Sequence, residues 1–320
     1  MVAHWLAELD GRTVTVEVPA SSANLGAGYD ILGVALALTN TITLEVRGWS
    51  RGEIELTVEG EGHGELPADR ENRFVQGLEA ALNAAHGELP DGVGWRIAMT
   101  NRIPLARGLG SSAAATVGGL IAGNALLAEP HPVNILLSLA SEIEGHPDNA
   151  AAALLGGFTV SAPVDDGVEA VRFDVPRDLR AVLFIPELRL STDEMRRALP
   201  ESVPLADAVA NLGAVGLGVA GLATGRYDVL RLLTRDRLHE SYRAKVYPQL
   251  PRLVEAAREA GALGACLSGA GSSILAFADS MAGITRIEGA FAAAAADLDL
   301  PGRVEVVEPR NKGARVTKGG

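Results

Sequence analysis

The chain has 320 residues, of which 48% are hydrophobic and only 4% aromatic, a composition that suits two domains with a core of Ala, Val, Leu and Ile. Its formal net charge of −12 argues against binding to nucleic acid or to an anionic membrane surface, because their phosphates would repel it. The single cysteine, Cys266, excludes a disulfide framework, and without a secretory segment or a membrane-spanning apolar run the sequence predicts a cytoplasmic protein.

Alternating polar and apolar residues predict the first strands, and apolar residues at helical spacing predict the helix that follows them. Strands are expected at residues 13–18, 41–46, 53–58 and 95–100, and a helix at 74–85. Between the first two strands, a segment of small residues contains Asn24 and Asp30. It is either a capped strand-to-helix turn or a loop in which Asn24 and Asp30 bind a polar ligand.

A glycine- and serine-rich segment, residues 104–112, leads directly into an alanine-rich helix predicted at 113–128. Unpaired backbone N–H groups at such a helix start attract anions, and Gly108 and Gly110 let a phosphate approach the backbone. The alternative is a simple capped helix start. A dinucleotide-binding loop is disfavoured because polar residues and a proline separate the segment from the preceding strand, and a Walker loop lacks its Gly-Lys-Ser/Thr.

A helix predicted at 133–144 ends in a cluster of polar residues that comprises Glu142, Glu144, His146, Asp148 and Asn149. One reading is a solvated helix end with an Asn-capped turn. The other uses a glutamate as a ligand for Mg²⁺ on nucleotide phosphates, with His146 and the Asp148-Asn149 pair facing a substrate. The cluster lacks the His and Cys spacing of a zinc site.

The second half of the chain mixes strands and helices without regular alternation. Strands are expected at 158–161, 169–173, 179–185, 265–267, 273–278 and 303–307, and helices at 150–155, 205–233, 250–260 and 287–296. The basic tail, 311–320, is expected to fray. The irregular order predicts the α+β fold class, and a boundary near 162–167 divides the chain into domains 1–165 and 166–320.

Two short motifs each place a polar and a basic side chain one helical turn apart: Thr192 with Arg196, and His239 with Arg243. Each pair alone suits a solvated helix face, whereas two converging arginines would bind a carboxylate bidentately. The glycine-rich turn at 268–272 is either a tight turn between strands or a second backbone site for anions.

Together these motifs resemble the GHMP small-molecule kinase superfamily. Segments 19–30, 104–115 and 264–273 match its three motifs in order, and the first is similar to the motif of the branch that phosphorylates L-homoserine. The resemblance spans residues 14–277. It implies a two-lobed fold with a ribosomal S5 domain 2-like N-terminal domain and a ferredoxin-like C-terminal domain. It also implies a homodimeric enzyme that uses ATP and Mg²⁺ to phosphorylate the side-chain hydroxyl of L-homoserine, on the route to threonine.

The same resemblance assigns roles to residues of this chain. Nucleotide binding is assigned to Asn72, near the adenine, and to Pro104, Arg107, Gly108, Leu109, Gly110, Ser111 and Ser112. Metal binding is assigned to Ser112 and Glu144, with Glu142 as the alternative glutamate. Substrate binding is assigned to Asn24, Asp30, His146, Asn149, Thr192, Arg196 and Arg243, of which Asp30, Asn149 and Arg196 are predicted to be catalytic. Asp148 is not assigned as a base.

Two positions depart from the family pattern. Ala27 replaces a common proline, and Tyr29 replaces a common phenylalanine, which adds a hydroxyl that needs a partner if it is buried. The alternatives to an L-homoserine kinase are a related kinase acting on mevalonate or a sugar, and a non-catalytic metabolite sensor that kept the nucleotide fold. A nucleotide-dependent oxidoreductase is the weakest alternative.

Overall fold

The computed structural model describes residues 4–48, 52–90 and 92–319, which form a seven-stranded and a four-stranded sheet with helices packed against them. The first elements in chain order are α1 (His4–Leu9), β1 (Thr13–Ala23), β2 (Leu32–Arg47), β3 (Ile54–Gly60), α2 (Arg73–His86), β4 (Gly94–Asn101), α3 (Ser111–Asn124), α4 (Val133–Glu144), α5 (Asp148–Leu155), β5 (Phe158–Val164) and β6 (Gly167–Phe173). They are followed by β7 (Arg180–Pro186), α6 (Thr192–Arg197), α7 (Leu205–Thr224), a 3-10 turn (Tyr227–Val229), α8 (Leu230–Leu233), α9 (Glu240–Arg243), α10 (Leu250–Glu259), β8 (Gly264–Leu267), β9 (Ile274–Ala278), α11 (Met281–Asp297), β10 (Gly302–Val307) and β11 (Arg315–Gly319).

The larger sheet has the strand order β11-β1-β2-β4-β3, and the β5–β6 hairpin extends it from the start of β2. β1 and β2 are longer than the sequence pattern predicts. The first residues of β2, 32–36, are buried on both faces, so they lack the polar–apolar alternation by which a half-exposed strand is recognised. Their antiparallel pairing with residues 20–23 of β1 carries the small-residue segment across the core before it turns at Asn24, and the turn leads into a strand and not a helix.

Helices α2 and α3 cross with their backbones almost in contact. A Cβ atom on Gly119 would lie 1.9 Å from the carbonyl oxygen of Phe74, and one on Gly77 would lie 2.1 Å from that of Thr116. Glycine at both positions is therefore required for this approach. Small side chains bring α3 against the sheet as well, and its N-terminus is thereby fixed at the edge where β1 ends.

The smaller sheet has the strand order β10-β7-β9-β8, with α10 and α11 packed on it. The change of sheet occurs between Phe173 and Arg180, so the boundary predicted at residues 165 and 166 falls inside the β5–β6 hairpin of the larger sheet. The predicted fraying of the tail is also corrected, because residues 315–319 form β11 and pair with β1. Local composition could not reveal a pairing partner about three hundred residues away in the sequence.

Helix α7 corrects two expectations, that the chain has no apolar run long enough to span a membrane and that one helix covers residues 205–233. By length and composition alone it could cross a membrane, with a mean hydropathy of 1.6 over an 18-residue window that is 22% buried. Its buried Asn211 nevertheless donates hydrogen bonds to the carbonyl oxygen of Ala27 (3.0 Å) and to the Asp236 carboxylate (2.9 Å). The first bond ties α7 to the loop that follows β1, and the second ties it to the segment before α9. The single helix predicted at 205–233 is divided in the structure. α7 is capped by Gly225, which adopts the left-handed conformation, and the 3-10 turn and α8 follow as separate elements.

Candidate functional site

A central cleft of about 650 Å³ opens where the ends of β1, α4 and α9 meet the loop before α3. Every sequence-predicted site residue except Asn72 lines it. The lining comprises Asn24, Asp30, Pro104, Ala106, Arg107, Gly108, Leu109, Gly110, Ser111, Ser112, Ala113, Glu144, His146, Asp148, Asn149, Thr192, Arg196, Arg243, Gly269 and Ala270. The structure therefore brings together side chains that lie more than two hundred residues apart in the chain.

The loop before α3 presents backbone amides to the cleft. Gly108 and Gly110 both have a φ of 70°, and Gly110 caps α3 without a side-chain hydrogen bond. The serines thus do not satisfy the N–H groups of the first turn, which leaves those donors for an anion. A Cβ on Gly110 would lie 2.1 Å from Ser21 Oγ, so only glycine permits β1 and the loop to approach this closely.

Glu144 lies beside the start of α3. Its Oε1 accepts hydrogen bonds from Ser112 Oγ (3.0 Å) and from Thr116 Oγ1 (2.6 Å). Glu142 is exposed and does not line the cleft. Sequence reasoning missed Thr116, although it follows Ser112 by four residues and so faces the same side of the helix. A carboxylate with two hydroxyls is an oxygen donor set that fits Mg²⁺.

A second carboxylate, Asp148, is buried at the start of α5. Its Oδ1 accepts hydrogen bonds from the Asn149 backbone N–H and from His146 Nδ1, both at 2.7 Å. Burial lowers the pKa of the His146 imidazole, but its hydrogen bond to Asp148 and the charge of that carboxylate together raise the pKa above its ordinary value. One potential ligand atom each from Asp30, His146 and Asp148 lies within 4.8 Å of the others.

Asn149 is oriented by a residue that the sequence reasoning did not single out. Ser21 Oγ donates a hydrogen bond to Asn149 Oδ1 at 2.9 Å, which fixes the amide so that its Nδ2 group is the one left for a ligand. Among residues 4–48, 52–90 and 92–319, the only contact of Nδ2 is a long one, 3.5 Å to Asp148 Oδ1. The signal for Ser21 was its place in the small-residue segment of β1.

Asp30 and Asn24 hold the turn between β1 and β2. The backbone N–H of Asp30 donates to Asn24 Oδ1 at 3.0 Å, and Asn24 Nδ2 donates to the carbonyl oxygen of Gly269 at 2.8 Å. The Asn24 amide is thus used inside the protein, although the residue lines the cleft. The Asp30 carboxylate accepts two hydrogen bonds from the Arg196 guanidinium, at 2.7 Å and 3.0 Å. Two of the three predicted catalytic side chains, Asp30 and Arg196, are therefore paired with each other.

Arg243 is buried but has no carboxylate partner within residues 4–48, 52–90 and 92–319. Its Nη1 donates to the carbonyl oxygen of Gly269 (3.0 Å) and to His239 Nδ1 (3.1 Å). Burial lowers the pKa of the guanidinium, because a charged group is costly to remove from water. A buried cation of this kind that faces a cleft fits a ligand carboxylate.

His239 supports that arginine as a neutral acceptor. Burial lowers its pKa to about 4, so the imidazole is uncharged near pH 7. Its Nε2 lies 2.8 Å from the carbonyl oxygen of Gly26 and must carry the proton, which leaves Nδ1 to accept from Arg243.

Asn72 lines a second cavity, of about 710 Å³, that shares Ala106, Ser111 and Ser112 with the central cleft. Its Oδ1 caps α2 by accepting from the Phe74 N–H (3.0 Å), and its Nδ2 donates to the Pro67 carbonyl oxygen (2.9 Å). Both polar ends of the side chain are therefore used locally. Apolar walls that include Leu66 and Met99 suit a flat aromatic ring beside the amides of α3.

For Arg107 and for the turn at 268–272, both considered above as sites for an anion, the hydrogen bonds favour a structural role. The Arg107 guanidinium donates to the carbonyl oxygens of Leu105, Pro186 and Glu187, at 2.7–2.8 Å, so only its backbone is available to a phosphate. In the 268–272 turn, the N–H groups of Ser268, Gly269 and Gly271 all donate to carbonyl oxygens. This arrangement favours the tight-turn reading over a second anion site.

Comparison with known proteins identifies the same architecture. Two family models match: one described as GHMP kinases N terminal domain over residues 72–157, and one described as GHMP kinases C terminal over residues 219–296. A homoserine kinase from a Synechococcus strain is 44% identical over 267 residues, which cover 83% of this chain and 84% of that protein. A homoserine kinase from Caldicellulosiruptor bescii is 39% identical over 306 residues, or 95% and 96% of the two chains. The crystal structure of homoserine kinase from Cytophaga hutchinsonii superposes with a TM-score of 0.84 at 31% identity, covering 95% of this chain and 97% of that one.

Proposed function

The chain belongs to the homoserine kinase family, a branch of the GHMP kinases, and we propose that it transfers the γ-phosphoryl group of ATP to the side-chain hydroxyl of L-homoserine. The product is O-phospho-L-homoserine, on the route to threonine. The observation that carries the amino-acid specificity is Arg243, a buried cation that lines the same cleft as the first turn of α3 and has no carboxylate partner in the described part of the chain.

On the nucleotide side, GHMP kinases use ATP. We assign its phosphates to the backbone of residues 108–112 and to the first turn of α3, where uncapped N–H groups and the helix dipole favour negative charge. The second cavity offers the adjoining apolar space for the adenine. Asn72 then acts by fixing the start of α2 at the rim of that cavity, without using its own amide on the base.

Ser112 and Glu144 are the residues that would hold Mg²⁺, with Thr116 as their neighbour. When bound, the ion supplies positive charge that neutralises the β- and γ-phosphates. The Ser112 and Thr116 hydroxyls already orient the Glu144 carboxylate toward the mouth of α3. The exposed position of Glu142, outside the residues that line the cleft, supports Glu144 over Glu142 for this role.

On the acceptor side, Arg196 and Arg243 would bind the substrate carboxylate, and Thr192 lies at the same wall of the cleft. Asn149, which Ser21 orients, would direct its free amide group to the attacking hydroxyl. The Asp30 carboxylate, with both oxygens on Arg196, and the His146–Asp148 pair supply negative charge around the rest of the substrate.

Phosphoryl transfer passes through a loose transition state, so positioning and charge neutralisation supply most of the catalysis. The attacking hydroxyl would be held in line with the γ-phosphorus between Asn149 and the amides of α3. Its proton can pass to a phosphate oxygen as the new bond forms, because the loose transition state demands little help from a strong base. We therefore assign no side chain as an obligatory general base.

We also propose that the enzyme works as a homodimer in the cytoplasm. Four large apolar side chains of α7 support association of the chain with a second copy: Leu205, Val209, Leu212 and Leu217, which are 80%, 57%, 70% and 55% exposed. Light scattering of the purified protein tests this point. A mass of twice 33.2 kDa is expected, and a monomer at micromolar concentration would refute it.

A substrate panel tests the function directly. ADP release from Mg-ATP is measured with L-homoserine, L-threonine, mevalonate and galactose at equal concentration, and the phosphorylated product is identified by mass spectrometry. L-homoserine should give the largest kcat/KM. Faster turnover of mevalonate or galactose would assign the chain to another branch of the superfamily, and no turnover with any alcohol would support a metabolite sensor.

A further inference from the structure

Tyr29 lies between the two arginines that line the substrate side of the cleft. The guanidinium carbon of Arg196 is 5.6 Å from the centroid of the Tyr29 ring, and that of Arg243 is 5.5 Å from it. Both distances are within the range in which a cation is attracted to an aromatic face. One half-buried ring is thus shared by both cations.

The hydroxyl of Tyr29 adds a contact to only one of them. It accepts a hydrogen bond from Arg196 Nη1 at 2.8 Å, and the same Nη1 also donates to Asp30 at 3.0 Å. The guanidinium plane of Arg196 is therefore fixed by two different acceptors. Arg243 has no such bond to the tyrosine, and instead uses His239 and Gly269.

The ring of Tyr29 is itself held in place. It packs against the His239 ring, with 5.3 Å between the centroids, and His239 in turn accepts a hydrogen bond from Arg243. Tyr29 does not line the cleft, so its side chain reaches a ligand only through the arginines. Two like charges that share one ring repel each other, and a fixed ring sets the distance at which they are held apart.

We propose that Tyr29 is a positioning residue that holds Arg196 and Arg243 at the separation needed to bind the carboxylate of the amino-acid substrate, with its hydroxyl acting on Arg196 and its ring acting on both. This inference rests on the proposed function. It assigns to Tyr29 a role in substrate selection and none in the transfer step. The residue should therefore affect KM for L-homoserine and leave kcat nearly unchanged.

Two substitutions separate the ring from the hydroxyl. Tyr29→Phe removes only the hydrogen bond to Arg196 and should raise KM for L-homoserine about 3- to 10-fold. Tyr29→Leu also removes both ring contacts and should raise KM about 30-fold, with kcat within about threefold of the unchanged enzyme. Tyr227→Phe is the matched control, because Tyr227 lies on the 3-10 turn and does not line the cleft.

Substrate analogues show whether the effect acts through the carboxylate. 3-Aminopropan-1-ol is L-homoserine without its carboxylate, and L-2-aminobutyrate is L-homoserine without its hydroxyl. Both are measured as competitive inhibitors of L-homoserine turnover. In Tyr29→Phe and Tyr29→Leu, the inhibition constant of L-2-aminobutyrate should rise with KM, whereas that of 3-aminopropan-1-ol should not change.

The outcomes separate the two proposals. If the unchanged enzyme does not phosphorylate L-homoserine, the proposed function fails. If it does, and either variant keeps the original KM or weakens both inhibitors equally, the role of Tyr29 is refuted. Melting temperatures of all variants identify unfolding, and a loss of affinity confined to the inhibitor that carries the carboxylate is the result that a merely structural role would not give.

Discussion

Gly110 offers the sharpest test of the phosphate-binding loop. It adopts the left-handed conformation at φ 70° and ψ 27°, and its α-carbon faces Ser21 and Asn149. Gly225, at the C-terminal end of α7, has nearly the same conformation, φ 76° and ψ 17°, but a Cβ there would lie 3.8 Å from the Tyr227 hydroxyl, an ordinary van der Waals distance. Alanine at either position carries the same backbone strain, and only at Gly110 does it also collide with the site.

The size of the effect follows from the two geometries. The backbone strain costs about 1–2 kcal/mol at each position, so both variants should melt a few degrees lower. At Gly110 the new Cβ would lie 2.1 Å from Ser21 Oγ and 3.0 Å from Asn149 Oδ1. Ser21 or the loop must therefore move by more than about 1 Å, and a misplacement of that size costs about 100-fold in rate.

Steady-state kinetics with varied ATP and L-homoserine, together with thermal melts, compare the two variants. Gly110→Ala should lose about 100-fold in kcat/KM, whereas Gly225→Ala should stay within about threefold of the unchanged enzyme. The reasoning is refuted if Gly110→Ala remains folded and is as active as Gly225→Ala. Close approach of the loop to β1 would then have no part in catalysis.

Three further predictions concern charged residues. Arg196→Ala and Arg243→Ala should each raise KM for L-homoserine about 10- to 150-fold, and an unchanged KM in both variants would exclude the carboxylate assignment. Glu144→Gln keeps an acceptor for Ser112 and Thr116 but loses the charge, so the Mg²⁺ concentration that gives half-maximal activity should rise about tenfold or more; an unchanged Mg²⁺ dependence would place the metal elsewhere. Burial raises the pKa of Glu240 to about 7, so the unfolded chain loses this proton first and stability falls as pH rises from 4.5 to 7. Glu240→Gln should therefore be more stable than the unchanged protein by about 1–3 kcal/mol at pH 8, and equally stable near pH 4, in denaturant titrations.

The nucleotide side of the site could be predicted because it is local in sequence. The glycines, the two serines and the small residues of α3 are contiguous, and a helix start needs no distant partner to present its amides. The α+β class and most strands were also predictable from periodicity. The first part of β2 was not, because burial on both faces removes alternation, and β11 was not, because its polar sequence becomes a strand only by pairing with β1.

On the acceptor side, the sequence predicted which residues belong to the site but not which contacts they make. Asn24 contacts Gly269, and Arg196 contacts Asp30, so the bonds that decide each side chain's role join distant segments of the chain. Motif spacing cannot show that the Asn24 amide makes its hydrogen bonds within the protein. Nor can it show that Ser21, a small residue in a strand, orients Asn149.

Arg196 and Arg243 differ in their hydrogen-bond partners, and this difference predicts which of them contributes more to binding the substrate carboxylate. Arg196 already has a carboxylate partner, so a substrate carboxylate must share it with Asp30 and gains less there than at an unpaired cation. Arg243 is buried and, among the described residues, donates hydrogen bonds only to neutral acceptors, so a substrate carboxylate would supply its first directly bonded counterion. The increase in KM should therefore be larger for Arg243→Ala than for Arg196→Ala, measured side by side at saturating Mg-ATP. The reverse order would mean that Arg196 leaves Asp30 when substrate binds and that Arg196 is the main anchor of the carboxylate.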